Sequence, residues 1–190
     1  MAPYSLIIGN KNYSSWSLRP WLMMKACDIP FEETVIALDT PTTRQEILRH
    51  SPSGWVPVLK DGELTVWDSL SIGEYLAEKH PEAKLWPADP VARARARSIS
   101  AEMHSGFGAV RKNMPMNVRS SFPADGPFLF GHFTIADAMF APVVSRFRTY
   151  AVELTDEAAA YAAAVWDMPA MKAWVEDAKN EPMVIDRHEL

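Results

Sequence analysis

The stretch VPVLKDGELTVWDS, residues 56–69, contains two short apolar runs separated by a turn. Both runs are rich in residues that favour β-strands, and the dipeptide Asp61-Gly62 between them is typical of a tight hairpin turn. Asp68-Ser69 follows, and both are residue types that cap helix N-termini. The stretch therefore predicts a β-hairpin that leads directly into a helix.

Outside that stretch, the first 80 residues alternate short apolar runs with helical patterns. A crossover helix joins parallel strands and a hairpin joins antiparallel ones, so this order predicts a small α/β domain over residues 1–80. Before the hairpin the predicted order is strand, helix, strand and helix, over residues 4–9, 15–27, 31–38 and 43–50.

The character of the chain changes after that domain. Residues 81–90 contain three prolines and predict an inter-domain linker. Every periodic segment beyond it is helical, so we predict an all-helical domain over residues 91–190. Thr134 is followed three residues later by Asp137, which is the spacing of a capping box at a helix start. The other predicted helices cover residues 91–113, 158–165 and 170–179.

Charge and cysteine content limit the classes of function. The 190-residue chain has a formal net charge of -5, which argues against nucleic acid as a partner because phosphate contacts need a basic surface. Cys27 is the only cysteine, the five histidines lack metal-ligand spacing, and no apolar run reaches the roughly 18 residues of a membrane span. We expect a cytoplasmic protein with no disulfide, no metal and no membrane segment.

Three serines, Ser14, Ser15 and Ser17, lie where the first strand ends and the first helix begins. Ser14 and Ser17 have the C-x-x-C spacing of a redox pair, but two serines cannot perform dithiol chemistry. A hydroxyl there could instead donate a hydrogen bond to a thiolate on a bound ligand. With the helix dipole, that bond lowers a thiol pKa by roughly two units. A helix cap with a purely structural role is the alternative.

Val56-Pro57 and Asp68-Ser69 are two further candidate sites. A cis bond before Pro57 would turn the backbone groups of Val56 outward to pair with an extended, peptide-like ligand. An ordinary trans proline on an edge strand is the alternative. The helix start at Asp68-Ser69 could hold a carboxylate on its backbone N–H groups, or it could serve only as a cap.

Taken together, the segments YSSWSLRPW, SGWVPVL, VWDSLSIGEYLAEKHP and FTIADAMFAP resemble the cytosolic glutathione S-transferase family over nearly the whole chain. The similarity is greatest to bacterial Ser-type members of the zeta, or maleylacetoacetate-isomerase-like, class. It implies an α/β plus all-α fold, with a thioredoxin-like domain followed by a helical one. It also implies a homodimer that uses glutathione as cosubstrate, without a metal.

The activity that this resemblance implies is that of a glutathione transferase in detoxification. Such an enzyme activates the glutathione thiolate for attack on a small hydrophobic electrophile, or catalyses a glutathione-dependent isomerisation. The alternative is a non-catalytic, transferase-like protein that serves as a binding or regulatory module. An intact sulfur site favours the enzyme.

The resemblance also implies roles for individual residues. Ser14 would activate the glutathione sulfur, and Ser15 and Ser17 would assist or substitute for it. The residues implied to bind glutathione are Ser14, Trp16, Arg19, Val56, Pro57, Asp68 and Ser69. The electrophile would lie between Ser14 and the helix after the linker, in a pocket lined by Trp16, Met103, His104, Phe107, Arg111 and Met114. The alternative for each of these residues is a place in the ordinary core between the two domains.

The chain departs from the family pattern in three places. Many members carry a basic residue where this chain has Trp55, so the glycyl carboxylate of glutathione needs another cation. The zeta motif usually has cysteine at the position of Trp16, which implies a reshaped pocket beside the sulfur. Residues 119–131 form a shorter segment than the helix-containing one that family members usually have there.

Overall fold

The computed structural model describes residues 4–108, 111, 116, 118, 128 and 132–185. Its N-terminal part has the predicted order of strands and helices. The strands are β1 (Tyr4–Gly9), β2 (Phe31–Ile36), β3 (Val58–Asp61) and β4 (Leu64–Trp67). The helices are α1 (Ser15–Ala26), α2 (Thr43–Leu48) and α3 (Ser69–Lys79).

The four strands form one mixed sheet in the order β2-β1-β3-β4. Strands β1 and β2 are parallel and are joined by the crossover helix α1, whereas β3 is antiparallel to both β1 and β4. The predicted hairpin is confirmed. Its first strand begins at Val58 rather than at residue 56, because Pro57 has no N–H group with which to join the ladder.

Alternate residues of β1 face opposite sides of the sheet, as the period of a strand requires. Leu6 and Ile8 pack into the large core, to which α1 and α3 also contribute. Ile7 faces the other side, where it packs with Ile47 of α2 in a small second cluster. The sheet therefore has α1 and α3 on one face and α2 on the other.

The helical part follows a short 3-10 helix at Pro81–Ala83. It contains α4 (Pro90–Ser105), α5 (Ile135–Thr149), α6 (Asp156–Asp167) and α7 (Pro169–Asn180). The order of an α/β part followed by a helical part confirms the predicted fold class.

The predicted C-terminal end of the helix over residues 91–113 was wrong. Helix α4 stops at Ser105, Gly106 is extended, and Phe107 has a left-handed backbone with φ of 59°. Glycine is a poor helix former, so Gly106 favours the end of the helix, and the Arg111 side chain donates to the carbonyls that the helix leaves unpaired there. The expectation about the short segment at 119–131 falls almost entirely outside the described residues.

The capping box at the start of α5 is confirmed. Thr134 and Asp137 are both fully buried. The Asp137 carboxylate accepts a hydrogen bond from the backbone N–H of Thr134 at 2.8 Å and another from its hydroxyl at 2.9 Å. These bonds pair the polar groups of Thr134 at a helix start that water does not reach.

Helix α1 is shared between the sheet and the helical part. Trp21 of α1 packs edge-on against Trp174 of α7, with ring centroids 5.2 Å apart. The buried ammonium of Lys11 lies over both rings and forms ion pairs with Glu33 of β2 at 2.8 Å and Asp177 of α7 at 2.6 Å. The two parts thus pack through apolar rings and one buried cation.

Candidate functional site

Ser14 lies in the turn between β1 and α1. Its backbone N–H donates to the carbonyl of Asn10 at 2.8 Å, and its side chain makes no capping bond to α1. Instead the Ser14 hydroxyl donates to the oxygen of Ser17 at 2.7 Å. Ser17 in turn accepts the backbone N–H of Gly9 at 3.0 Å, so a fixed partner holds the Ser14 hydroxyl. Ser15 is half-buried beside them.

The peptide bond between Val56 and Pro57 is cis, which is one of the two alternatives that the sequence left open for this bond. It lies at the edge of a cavity of about 390 Å³, which brings together residues from the α1 start, the segment before β3 and the α3 start. The cavity is lined by Trp16, Ser53, Trp55, Val56, Pro57, Trp67, Asp68 and Ser69.

A second cavity, of about 440 Å³, contains Ser14. Trp16, Trp55 and Val56 line both cavities, so the two share one set of walls. The side chains of Arg44 and Ile185 also line the second cavity. No sequence pattern pointed to either, because α2 and the end of the chain reach Ser14 only through the tertiary fold.

Asp68 serves both as a helix cap and as a link to the helical part. One carboxylate oxygen accepts the N–H groups of Leu70 and Ser71 at 2.9 and 3.2 Å. The other lies 3.0 Å from Nε2 of His104 in α4. Both of its oxygens therefore have protein partners, and one of those partners belongs to the other half of the molecule.

Arg19 is a buried cation beside Ser69. Only 2% of it is exposed, and its Nη1 donates to the Ser69 hydroxyl at 3.4 Å. Burial lowers the pKa of Arg19 to about 9, and the positive charges of Arg111 and Arg146 add to that shift. Arg19 still carries its charge at neutral pH, so the α3 start has a positive potential that suits an anion.

Trp16 is packed between cationic side chains. The guanidinium carbon of Arg19 lies 4.3 Å from the ring centroid and that of Arg111 lies 5.0 Å from it. His104 meets the same ring edge-on at 5.1 Å. Cation–π contacts of this kind hold the indole in one orientation, so Trp16 forms a fixed wall between the two cavities.

The remaining residues predicted for the electrophile pocket have different surroundings. Arg111 donates to the carbonyls of Met103, His104 and Gly106 at 2.7, 2.9 and 2.7 Å, so it satisfies the C-terminal end of α4. Met103 and Phe107 line a separate cavity of about 490 Å³ together with α5 and α6 side chains. The structure does not bring these two residues to Ser14. Met114 lies outside the described residues.

Two negative findings apply to the described part of the chain. Its histidines, cysteine and carboxylates form no group of three that could hold a metal ion. None of its helices combines the length and the apolar character needed to cross a bilayer.

Comparison with known families decides the assignment. Residues 13–79 match the family model for the glutathione S-transferase N-terminal domain, and residues 91–177 match the model for the C-terminal domain. This chain belongs to the glutathione S-transferase family. The sequence resemblance is confirmed, and the matched N-terminal segment contains all three serines and both the Val56-Pro57 and Asp68-Ser69 pairs.

Curated relatives match parts of the chain. A dichloromethane dehalogenase from Methylorubrum extorquens is 43% identical over 65 residues, which are 33% of this chain and 23% of that protein. A probable maleylacetoacetate isomerase from Caenorhabditis elegans is 37% identical over 94 residues, which are 49% of this chain and 42% of that protein. The matches thus span less than half the length of these two relatives.

Solved structures show the same fold over most of the chain. A glutathione transferase homolog from Burkholderia gl BGR1, solved with bound glutathione, superimposes with a TM-score of 0.73. The match covers 95% of this chain and 100% of that one, at 24% identity. It establishes a shared glutathione transferase fold.

Proposed function

We propose that this protein is a glutathione transferase. It binds glutathione and presents the thiolate to a small hydrophobic electrophile, either for conjugation or for a glutathione-dependent isomerisation. The observation that carries the proposal is the position of the Ser14 hydroxyl, at the start of α1 and in a cavity that shares walls with the cis-Pro57 site. The extended tripeptide would run through both cavities.

The γ-glutamyl end of the ligand would lie at the start of α3. Its carboxylate would accept hydrogen bonds from the hydroxyl and the backbone N–H of Ser69, with the positive charge of Arg19 directly behind. Its ammonium group would pair with the Asp68 carboxylate. The backbone of Val56 would pair with the cysteinyl unit as a short β-ladder.

The glycyl carboxylate would bind Arg44 in place of the basic residue that Trp55 replaces. Arg44 lines the cavity that contains Ser14, and it makes no ion pair with any other described residue. Gly54 makes room for it, since a Cβ atom built there would come within 2.9 Å of Nη1 of Arg44. Its guanidinium can take a carboxylate in a bidentate manner.

Ser14 would lower the pKa of the bound thiol. Its hydroxyl now donates to Ser17 and would rotate to donate to sulfur, while Ser17 stays held by the Gly9 N–H. The hydroxyl bond and the α1 dipole together lower the thiol pKa by roughly two units. The proton passes to solvent, and the thiolate attacks the electrophile with its free electron pair. Trp16 would form one wall for that electrophile.

The test is a thiolate titration of bound glutathione by ultraviolet difference absorbance. We expect a wild-type pKa well below that of free glutathione, and a rise of about one to two units in Ser14→Ala. Ser15→Ala is the comparison variant, because Ser15 lines the same cavity but Ser17 bonds to Ser14: we expect no rise in Ser15→Ala, and a rise there would assign the role to Ser15. Tight binding with an unshifted pKa would instead support a non-catalytic binding module, and no binding would reject both functions.

We also propose a homodimer located in the cytoplasm, with a role in detoxification. Large apolar side chains are exposed on both halves of the chain: Leu64 and Trp67 on the edge strand β4, and Val91 on α4. A symmetric dimer that places β4 of one subunit against α4 of its partner would cover all of them.

A further inference from the structure

The turn that carries Ser14 is held by the end of the chain. Glu181, immediately after α7, places one carboxylate oxygen against the backbone N–H of Lys11. The other oxygen accepts the N–H of Asn12 at 2.9 Å. Two consecutive N–H groups that face one carboxylate form an anion-binding arrangement, here filled by the protein's own side chain.

A second contact ties the same segment to the same turn. The backbone N–H of Ile185 donates to the hydroxyl of Tyr13 at 3.3 Å, in a buried position. The Ile185 side chain is only 6% exposed and lines the cavity that contains Ser14. Residues 181–185 therefore contact the turn at two points, and Ile185 forms part of the cavity wall beside Ser14.

The turn has a direct structural link to Ser14. The Asn10 carbonyl accepts the N–H groups of both Tyr13 and Ser14, so the position of residues 10–13 sets the position of the serine backbone. The Ser14 hydroxyl must reach a sulfur atom within hydrogen-bond distance, where a displacement of about 1 Å has a large catalytic cost.

We propose that Glu181 is a positioning residue for Ser14: its carboxylate fixes the turn that aims the serine hydroxyl at the bound thiol. This inference rests on the proposed function. It extends the site to a residue 167 positions away in sequence, just after the last helix.

The experiment compares wild-type protein with Glu181→Ala and Glu181→Gln, again by titration of the bound thiol. We expect Glu181→Ala to raise that pKa by about one unit and to lower kcat/KM about tenfold. A glutamine side chain keeps one acceptor oxygen, so Glu181→Gln should show a smaller rise. A pure charge effect has the opposite sign, because removal of a nearby carboxylate favours a thiolate and would lower the pKa in both variants.

Two controls separate positioning from general destabilisation. Glu176→Ala removes a carboxylate whose partners, Asn180 and Lys179, belong to its own helix, and we expect no change in the thiol pKa. In a Ser14→Ala background, Glu181→Ala should have no further effect on the thiol pKa, because its action passes through Ser14.

The outcomes are distinguishable. A wild-type thiol pKa equal to that of free glutathione overturns the proposed function and this inference with it. A lowered wild-type pKa that Glu181→Ala leaves unchanged, in a folded variant that still binds glutathione, overturns this inference alone. This inference alone is also overturned if Glu181→Ala raises the thiol pKa in the Ser14→Ala background as much as it does in the wild type.

Discussion

His104 joins the two halves of the site through one imidazole ring. Nε2 faces the Asp68 carboxylate, and Nδ1 is buried without a hydrogen-bond partner among the described residues. A neutral ring suits this environment, because an unpaired acceptor is cheaper to bury than an unpaired charged donor. Burial is the main cause that lowers the His104 pKa below its ordinary value of 6.5. The neighbouring Asp68 opposes the shift, and Arg19 and Arg111 reinforce it.

This shift predicts a pH dependence of stability. The unfolded chain protonates His104 below about pH 6.5, whereas the folded chain resists protonation until a lower pH. The unfolded state thus binds more protons in that window, so the stability from His104 is complete above pH 6.5 and falls as the pH drops below it. We expect the wild-type Tm to fall more between pH 7 and pH 5.5 than the Tm of His104→Gln, measured by thermal melts at constant ionic strength. If the Tm of the two proteins fell in parallel with pH, the lowered pKa of His104 would be contradicted.

At the scale of an element, the start of α5 illustrates a cap in a buried position. The Asp137 carboxylate accepts both polar hydrogens of Thr134, and neither residue is exposed to water. At an exposed helix start, water can replace the hydrogen bonds of a lost cap. Water does not reach Thr134, so it cannot replace the bonds to Asp137. The helix start therefore depends on one side chain that the sequence already indicated.

We expect Asp137→Ala to lower the free energy of unfolding by about 2 kcal/mol, at the upper end of the range for a lost cap. The reason is that the buried N–H and hydroxyl of Thr134 lose their acceptor. Urea denaturation gives the value. The control is Glu153→Ala, an exposed acidic residue after α5, with a change expected below about 0.5 kcal/mol. A loss of activity without a loss of stability in Asp137→Ala would assign the residue to the site instead.

At the scale of the whole molecule, Lys11 connects the sheet to the last helix. Its side chain is 4% exposed, and its ammonium pairs with Glu33 of β2 and Asp177 of α7 over the Trp21 and Trp174 rings. Both carboxylates are more exposed than the ammonium, so they can rehydrate if Lys11 is removed. This limits the cost below that of a fully buried ion pair.

We expect Lys11→Ala to reduce the free energy of unfolding by about 1–3 kcal/mol, through lost charged hydrogen bonds and lost ring contacts. Lys172→Ala is the matched control, since its pair with Asp167 is exposed on both sides and should contribute at most about 1 kcal/mol. If urea denaturation gave the same loss of unfolding free energy for both substitutions, the burial of Lys11 would contribute nothing to stability.

The sequence by itself determined the order of strands and helices in the N-terminal part, and it singled out Ser14, Val56-Pro57 and Asp68-Ser69, which the structure places around two adjoining cavities. Period-2 apolar runs, the Asp61-Gly62 turn and the Thr134 capping box are local signals, and local backbone sterics and hydrogen bonding are sufficient to express them. The same holds for the serines at the α1 start. The end of α4 was predicted wrongly because its stop at Gly106 depends on contacts of Arg111 from beyond the helix.

Only the tertiary structure decided what surrounds those local signals. Arg44 reaches the Ser14 cavity because α2 packs against the sheet. Ile185 reaches the same cavity, and Glu181 its turn, because the last helix packs against α1. His104 meets Asp68 because α4 packs beside α3. Such contacts join residues far apart in the chain, and their pairing follows from how whole elements pack. No periodicity or motif within a short window of sequence carries that information.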